Sequence, residues 1–381
     1  MKYCKICITP TTYPGVILNK SNICLTCIAS IKHYEEHNEY IKKIILNEIF
    51  TKHKSNESHY DCILGVSGGA DSTKLALWLK EKFNVKPLLV CCTYPPEQIT
   101  ETGALNLSNL INKGFDVIVS APAPFTWKQI LKKGFYEGNY NRGPETALYS
   151  SLPQIAIKYK IKLIFWGEGG GTSKVYDKKI ISKENKYDAN NIRYSNTLKN
   201  CDLKWLGYHF KKNKLIPYIY PSIKEFKKNK LQIIYLGNFW KKHTYDDTGI
   251  FSLTNGMNLS KYRKEEIGDI SKIKALDDTF VSINQMIKFL KFGVGRVTDH
   301  LNYEIRNKTI TRKVAVNIAS KYDGKCSQFF IDEFCKYIDI KEKVFWKTIK
   351  KFVNKKLFSV ANKGKRLIFK PKFKVGYGIN Y

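Results

Sequence analysis

Residues 62–72 indicate both the fold class and the kind of ligand. They read Cys62-Ile63-Leu64-Gly65-Val66-Ser67-Gly68-Gly69-Ala70-Asp71-Ser72. The first five predict a buried strand, and apolar residues at helical spacing follow the last. A turn with two glycines lets the backbone approach an anion closely, and a helix that begins there directs N–H groups and its dipole at that anion. Strand, glycine turn and helix in this order predict a phosphate site.

The side chains of the turn suit the same ligand. The hydroxyls of Ser67 and Ser72 can donate hydrogen bonds to phosphate oxygens, whereas the carboxylate of Asp71 would need a bridging Mg²⁺. The other common phosphate loop, in which four residues separate Gly from Gly-Lys-Ser/Thr, is absent from the sequence. The alternative interpretation is an ordinary strand-to-helix turn rich in small residues.

The neighbouring sequence extends the pattern into a sheet. Further strands are predicted at residues 87–93, 116–120 and 163–166, with helical stretches at 102–112 and 148–158. This alternation predicts an α/β fold, a doubly wound parallel sheet with helices on both faces. Beyond about Ser260 we expect the strands to stop. Helices are predicted at 277–292, 311–322, 327–337 and 339–353, the last opening with a capping box of Asp339 and Glu342, and the basic tail from Lys363 carries no pattern.

Two cysteine pairs near the N-terminus predict a metal site. Cys4 and Cys7, then sixteen residues, then Cys24 and Cys27 have the spacing of a four-thiolate structural zinc site. A short loop with turn-forming residues between the pairs needs a metal to hold it. The alternative is a set of core thiols without metal.

Composition and patterning suggest four regions and an anionic partner. We predict a zinc module at 1–32, an amphipathic connector helix at 33–59, the α/β domain at 60–258 and a helical C-terminal domain at 259–381. The 65 Lys and Arg against 33 Asp and Glu give a net charge of +32, which suits nucleic acid, an anionic membrane surface or a phosphorylated substrate. A/T-rich codon usage explains the charge equally well. Without a signal-peptide pattern or an apolar run that could span a bilayer, we expect a cytoplasmic protein.

The glycine turn resembles the loop of the PP-loop ATP pyrophosphatases, the adenylating α/β enzymes. That resemblance implies cleavage of ATP between the α and β phosphates, with the loop holding the departing pyrophosphate. It assigns nucleotide binding to Ser67, Gly68, Gly69, Asp71 and Ser72, with Mg²⁺ on Asp71. Cys92, Thr93 and Tyr94 end the second strand, where a doubly wound sheet presents its backbone to an adenine, although plain sheet core is the alternative for the cysteine.

Other stretches narrow the resemblance to the WbpG-like N-acetyl sugar amidotransferases of bacterial lipopolysaccharide and flagellar sugar pathways. They are residues 3–7 with the second cysteine pair, 87–98, 166–168 and 292–300, in order along nearly the whole chain. The family implies conversion of a sugar acetamido group to an acetamidino group: ATP adenylates the amide oxygen, and ammonia displaces AMP. It also implies that a HisH-like glutaminase partner, sometimes with a HisF-like barrel, supplies the ammonia, because the other six cysteines lack the context of a glutaminase nucleophile.

The resemblance also implies further site residues. Besides Asp71, the predicted catalytic residues are Glu168, which would bind Mg²⁺ or orient the acceptor amide, together with Arg296 and Asp299. Arg296 would neutralise charge on the α-phosphate or a substrate carboxylate. The alternatives are a surface carboxylate for Glu168, a helix cap for Asp299 and a packed neutral imidazole for His300. Further expectations are sugar contacts from Asn141, Arg142 and Glu145, and a mobile loop at Gly169, Gly170 and Gly171.

A tRNA-thiolating ATP pyrophosphatase is the competing function. Such enzymes join a cysteine-paired zinc module to the same loop, and a charge of +32 suits RNA. Some of them carry a second such zinc module at the C-terminus, but Cys326 and Cys335 are too far apart to form one. The cysteine spacing therefore favours the sugar amidotransferase. For such an enzyme we expect ATP, Mg²⁺ and structural Zn²⁺ as cofactors. We expect neither a membrane nor a nucleic-acid partner.

Overall fold

The computed structural model describes residues 1–35, 39–167, 190–194, 198–207, 210–239, 245–363 and 366–379. Five strands form one sheet: β1 (Cys62–Gly65), β2 (Pro87–Cys92), β3 (Val117–Ser120), β4 (Leu163–Trp166) and β5 (Gln232–Tyr235). Their order is β3-β2-β1-β4-β5, and every neighbouring pair is parallel. The predicted α/β class is confirmed. Because the order reverses between β1 and β4, a crevice opens at their carboxyl ends, where such sheets bind ligands.

Helices cover both faces of this sheet. The first eight are α1 (Leu25–Glu35), α2 (Glu39–His53), α3 (Ala70–Phe83), α4 (Glu101–Asn112), α5 (Pro124–Tyr136), α6 (Arg142–Lys158), α7 (Ile223–Lys228) and α8 (Tyr245–Thr254). Successive side chains of a strand point to opposite faces. Cys62 and Leu64 accordingly lie in one core with residues of α2, α3 and α4, while Ile63 lies in another with residues of α6.

Part of the predicted connector differs from the structure. Residues 33–59 do not form one helix in the described part of the chain, because α1 already begins at Leu25, within the second cysteine pair, and α2 ends at His53. The predicted domain boundaries stay predictions.

The C-terminal third is helical up to its last thirty residues. It contains α9 (Lys264–Ile267), α10 (Val281–Phe292), α11 (Arg296–Arg306), α12 (Arg312–Tyr322), α13 (Gln328–Tyr337) and α14 (Glu342–Phe352). Two antiparallel hairpins then follow, from β6 (Phe358–Lys363) with β7 (Arg366–Pro371) and from β8 (Phe373–Lys374) with β9 (Gly378–Ile379).

The prediction that strands stop near Ser260 is therefore wrong. Alternate residues of the first hairpin, Phe358, Val360 and Phe369, pack on the helical core, which is the period of a half-buried strand. The lysines between them made this stretch resemble a charged tail.

Two predicted helix starts are also wrong, for identifiable reasons. The N-cap of α14 is Lys341, because Asp339 has a φ of 51° and lies in the turn after α13. α10 begins at Val281 rather than at Asp277. The residues before it bond to the α/β domain instead, Asp277 O accepting from Thr100 N at 3.2 Å and Thr279 N donating to Gln98 O at 3.2 Å.

None of the helices in the described part of the chain is both long and apolar enough to span a membrane.

Candidate functional site

The glycine loop lies between β1 and α3, at the crevice where the strand order reverses. Gly68 has a φ of 75°, and a Cβ there would lie 2.9 Å from Leu107 N and 2.9 Å from Asn106 Cβ in α4. This position therefore requires glycine. Gly69 is the N-cap of α3 with extended backbone, so the loop leads directly into the first helical turn. The N-terminal end of the helix dipole faces the crevice.

Hydrogen bonds within the loop hold its shape. Ser72 Oγ donates to Gly69 O at 3.0 Å and accepts from Ser67 N at 3.5 Å. Behind the loop, Ser252 Oγ of α8 donates to Ala70 O at 2.8 Å. A loop fixed in this way needs little reorganisation to receive a ligand.

A segment two hundred residues later lies against the loop. Lys274 Nζ is 2.6 Å from Asp71 Oδ2, and Ala70 N donates to Ile273 O at 3.3 Å. The sequence did not single out Lys274, because it is one of several lysines in a polar stretch that has no periodic pattern. The C-terminal region thus contributes a cation to the candidate phosphate site.

The same segment brings two carboxyls to the sheet edge. Burial, reinforced by the adjacent Asp278, raises the pKa of Asp277 to about 7. The charge of Asp277 in turn contributes to the raised pKa of Cys92 and of Tyr94, although burial is the larger cause for both. A Cβ on Gly103 of α4 would lie 2.5 Å from Asp277 Cα, so a glycine in α4 permits this close approach. Sequence reasoning missed Asp277 as a site residue.

Asp278 anchors the segment to the α/β domain. Its Oδ1 accepts from Gln98 Nε2 at 2.9 Å and from Phe280 N at 2.8 Å. Gln98 Oε1 in turn accepts from Trp127 Nε1 at 2.8 Å, and Tyr140 OH donates to Phe280 O at 2.5 Å. A buried network with its groups bonded in this way specifies one position for the segment.

Cys92, Thr93 and Tyr94 lie at the carboxyl end of β2, as predicted from the sequence. Thr93 N donates to Ser120 O at 3.0 Å, which continues the pairing of β2 with β3. The ring of Tyr94 meets Trp127 edge-on at 5.7 Å between centroids. Their contact with an adenine stays a prediction.

Arg296 is the first residue of α11 and lies near Lys274. Its Nε is 2.7 Å from Asp269 Oδ2. Arg296, Asp269 and Lys274 line one cavity of about 40 Å³, which also includes Gln285 and Phe330. Because Lys274 also contacts Asp71, the structure connects two predicted catalytic residues, Asp71 and Arg296, through this segment.

Asp299 and His300 face other partners. Asp299 Oδ2 pairs with Lys288 Nζ, and the Lys288 ammonium also lies 4.7 Å from the centroid of the Tyr13 ring. Burial, with the charges of Lys274 and Arg296, lowers the pKa of His300 to about 3. Its imidazole is therefore neutral at pH 7, and its 3.7 Å contact with Glu304 is not an ion pair. The catalytic role of Asp299 stays a prediction.

The alternative of a helix cap for Asp299 is wrong, because another residue serves the N-terminus of α11. The carboxylate of Asp323 accepts from Gly295 N at 2.9 Å, Val297 N at 3.1 Å and Thr298 Oγ1 at 2.6 Å. Burial raises the pKa of Asp323 to about 6.

The remaining predicted residues are distributed as follows. Glu168 and the three glycines at 169–171 lie outside the described residues. At the start of α6, Asn141 Nδ2 donates to Glu145 Oε1 at 2.6 Å, and the Arg142 guanidinium lies 4.4 Å from the centroid of the Trp205 ring. Their contact with a sugar stays a prediction.

The four N-terminal cysteines form a buried cluster that could bind zinc. Their sulfur atoms all lie within 4.8 Å of one another, with Cys4 Sγ 3.9 Å from Cys27 Sγ and Cys7 Sγ 3.7 Å from Cys24 Sγ. Tetrahedral Zn²⁺ with Zn–S bonds of about 2.3 Å places sulfurs about 3.8 Å apart. Cys24 N also donates to Cys4 Sγ at 3.3 Å. A closed set of four thiolates is typical of structural zinc.

This cluster packs on the C-terminal helices. Asn302 of α11 accepts from Ile8 N at 2.8 Å and donates to Thr9 Oγ1 at 2.8 Å, and Arg312 Nε of α12 donates to Cys7 O at 3.3 Å. The cysteines share one buried apolar cluster with Val297, Leu301, Ala315 and Ala319. A zinc ion held here would therefore stabilise α11, the helix that carries Arg296.

The other six cysteines are poor nucleophiles. Burial raises the pKa of these thiols, to about 11 in Cys201, to about 12 in Cys92, Cys326 and Cys335, and further in Cys62 and Cys91. Since the thiolate is the reactive form, a raised pKa makes a cysteine inert at neutral pH.

The chain shows similarity to known proteins. Residues 258–372 match the family model described as LPS biosynthesis protein WbpG-like, C-terminal domain. The matched region contains Lys274, Asp277 and Arg296, and the match supports a role in lipopolysaccharide biosynthesis. Over 88 residues the chain is 38% identical to uncharacterized protein MJ1599 of Methanocaldococcus jannaschii. That alignment covers 23% of this chain and 31% of the relative, so the chain spans about a third of the relative's length.

Proposed function

We propose that this chain, whose residues 258–372 match the C-terminal domain of WbpG-like lipopolysaccharide biosynthesis proteins, is an ATP-dependent sugar amidotransferase. It would convert a sugar acetamido group to an acetamidino group and release AMP and pyrophosphate. The observation that carries this proposal is the glycine loop at the reversal of strand order, with Asp71 in the first turn of α3 and Lys274 paired with it. The order of strand, loop and helix supports phosphate binding, and the family match supports a sugar acceptor.

The proposed residues have defined tasks in two steps. The N–H groups of the loop and the hydroxyl of Ser67 bind the β and γ phosphates, and Ser72 joins them by turning its hydroxyl from Gly69 O to a phosphate oxygen. The carboxylate of Asp71 is a ligand that Mg²⁺ prefers, and the ion would neutralise phosphate charge there. The acetamido oxygen attacks the α-phosphorus and pyrophosphate leaves. Ammonia then adds to the activated carbon, a proton is lost, and AMP departs with the former amide oxygen.

Ammonia would come from a partner. The raised thiol pKa values of the six cysteines outside the cluster oppose a glutaminase nucleophile within the described chain. We therefore propose that a HisH-like glutaminase, with or without a HisF-like barrel, hydrolyses glutamine and delivers the ammonia. Free ammonium salts replace this partner in vitro.

The test is product analysis of the purified chain with ATP, Mg²⁺, ammonium and a panel of N-acetylated sugars and nucleotide sugars. We expect AMP, together with a sugar product lighter by the difference between an oxygen atom and an NH group. Asp71→Asn abolishes both products, whereas Asp116→Asn, an exposed carboxylate beside β3, leaves them unchanged. Formation of ADP in place of AMP contradicts the proposal, and AMP formed with tRNA alone points to the thiolating function.

A further inference from the structure

We propose that Lys274 is a phosphate-binding residue of the candidate nucleotide site, brought to the glycine loop by segment 269–278 of the C-terminal region. The inference rests on the proposed function, in that the ligand is a nucleoside triphosphate. The ammonium of Lys274 would bind the β and γ phosphates of that ligand. Residues of both the α/β sheet and the C-terminal region would then form the phosphate site.

Two consecutive residues of the segment touch the loop in different ways. The side chain of Lys274 pairs with Asp71 at 2.6 Å, and the carbonyl of Ile273 accepts from Ala70 N at 3.3 Å. Both contacts lie in the first turn of α3. The side chain of Lys274 is 25% exposed and that of Asp71 is 29% exposed, so both charges remain within reach of a ligand in the crevice.

A triphosphate bound beside the Asp71 carboxylate would need a cation between the two negative groups. Asp71 places a carboxylate beside the N–H groups that would bind phosphate, and a carboxylate repels a triphosphate. An ammonium at the same place would add to the positive charge that the proposed Mg²⁺ brings, and it offers three donors without a fixed plane, which suits phosphate oxygens. The Lys274 ammonium already lies against Asp71, so a small movement of its side chain would bring it into contact with a phosphate at the loop.

The segment holds Lys274 in place from both sides. Before it, Ser271 N donates to Asp269 Oδ1 at 2.8 Å, while Asp269 pairs with Arg296. After it, Thr100 Oγ1 donates to Leu276 O and Asp278 joins its buried network. Lys274 also lines the 40 Å³ cavity with Arg296, so one lysine borders both the loop and that cavity. Such anchoring favours a positioned ligand contact over a freely rotating surface lysine.

The test compares three variants by calorimetric binding of ATP, pyrophosphate and AMP in the presence of Mg²⁺. Lys274→Ala should weaken the binding of ATP and of pyrophosphate by at least about tenfold, the value of one charge-assisted hydrogen bond. The binding of AMP should change little, and Lys274→Arg should retain part of the affinity. Lys272→Ala is the matched control, because Lys272 is exposed and takes part in the segment through its carbonyl, which accepts from Ser260 N at 3.0 Å.

The outcomes separate the two proposals. If the wild-type protein binds ATP and pyrophosphate but Lys274→Ala binds both equally well, the phosphate role of Lys274 is wrong and the proposed function stands. A loss of thermal stability without any change in these affinities also overturns the inference, since it indicates a structural ion pair only. If the wild-type protein binds neither ligand, the proposed function itself fails.

Discussion

Two adjacent glycines of the loop should respond in opposite ways to the same substitution. In Gly68→Ala the new methyl lies 2.9 Å from a backbone nitrogen of α4, and the φ of 75° is unfavourable for alanine. We expect a loss of about 2–5 kcal/mol in the free energy of unfolding, about 1–2 from the left-handed backbone and about 1–3 from overpacking.

Gly69→Ala meets none of these costs. The φ of Gly69 is −74°, and the nearest atom to its Cβ is Ser67 Oγ at 3.4 Å. A poorer N-cap residue is offset by a less flexible unfolded chain, so stability should change by less than about 1 kcal/mol. The methyl nevertheless lies among the groups proposed to bind phosphate and should weaken ATP binding.

Urea unfolding and ATP calorimetry on the two variants provide the assay. The expected pattern is an unstable Gly68→Ala and a stable Gly69→Ala with reduced ATP affinity. If Gly69→Ala binds ATP as tightly as the wild-type protein, the loop does not bind phosphate, and if Gly68→Ala is as stable as the wild-type protein, the loop does not require glycine at that position.

Three further predictions concern the surroundings of the site. Cys24→Ser, or removal of metal with a chelator, should speed amide hydrogen exchange in α11 and α12 along with a loss of bound zinc; unchanged exchange contradicts a shared core. Asp277 should lower the free energy of unfolding as the pH rises from about 4, the pKa of an aspartate in the unfolded chain, to about 7, its pKa in the folded protein. In this range the folded protein keeps a proton that the unfolded chain releases. Thermal unfolding of Asp277→Asn should show a shallower slope, because the buried carboxyls of Asp278 and Asp323 also have raised pKa values, and an unaltered slope rejects the assignment. Lys288→Met should cost about 3–5 kcal/mol by leaving Asp299 without its partner, and Lys288→Met/Asp299→Leu should recover most of it. A double variant that is stable yet inactive would support a catalytic Asp299.

The sheet and the loop were predictable because both depend on local pattern. The apolar run at 62–66 and the two glycines after it encode strand, turn and helix without reference to distant residues. The spacing of the four cysteines likewise predicted their cluster. Its packing on α11 was not predictable, because the contacts of Asn302 with Ile8 and Thr9 join residues nearly three hundred positions apart.

Lys274 and Asp277 were missed for the same reason. Neither belongs to a motif, and each reaches the sheet edge only because segment 269–278 folds back onto α3 and α4. The C-terminal hairpin was missed because its lysines concealed the alternation of apolar residues. Local sequence therefore predicted the groups that would cradle phosphate, whereas long-range packing supplies the charged groups around them.

The fate of the acetamido oxygen distinguishes adenylation of the sugar from every other route to AMP or ADP. A sugar acceptor whose acetamido oxygen is a heavy isotope should be incubated with ATP, Mg²⁺ and ammonium, and the released nucleotide analysed by mass spectrometry. We expect the heavy oxygen in the phosphate of AMP, because the amide oxygen attacks the α-phosphorus and leaves with it. AMP without the isotope, or ADP as the nucleotide product, would contradict it.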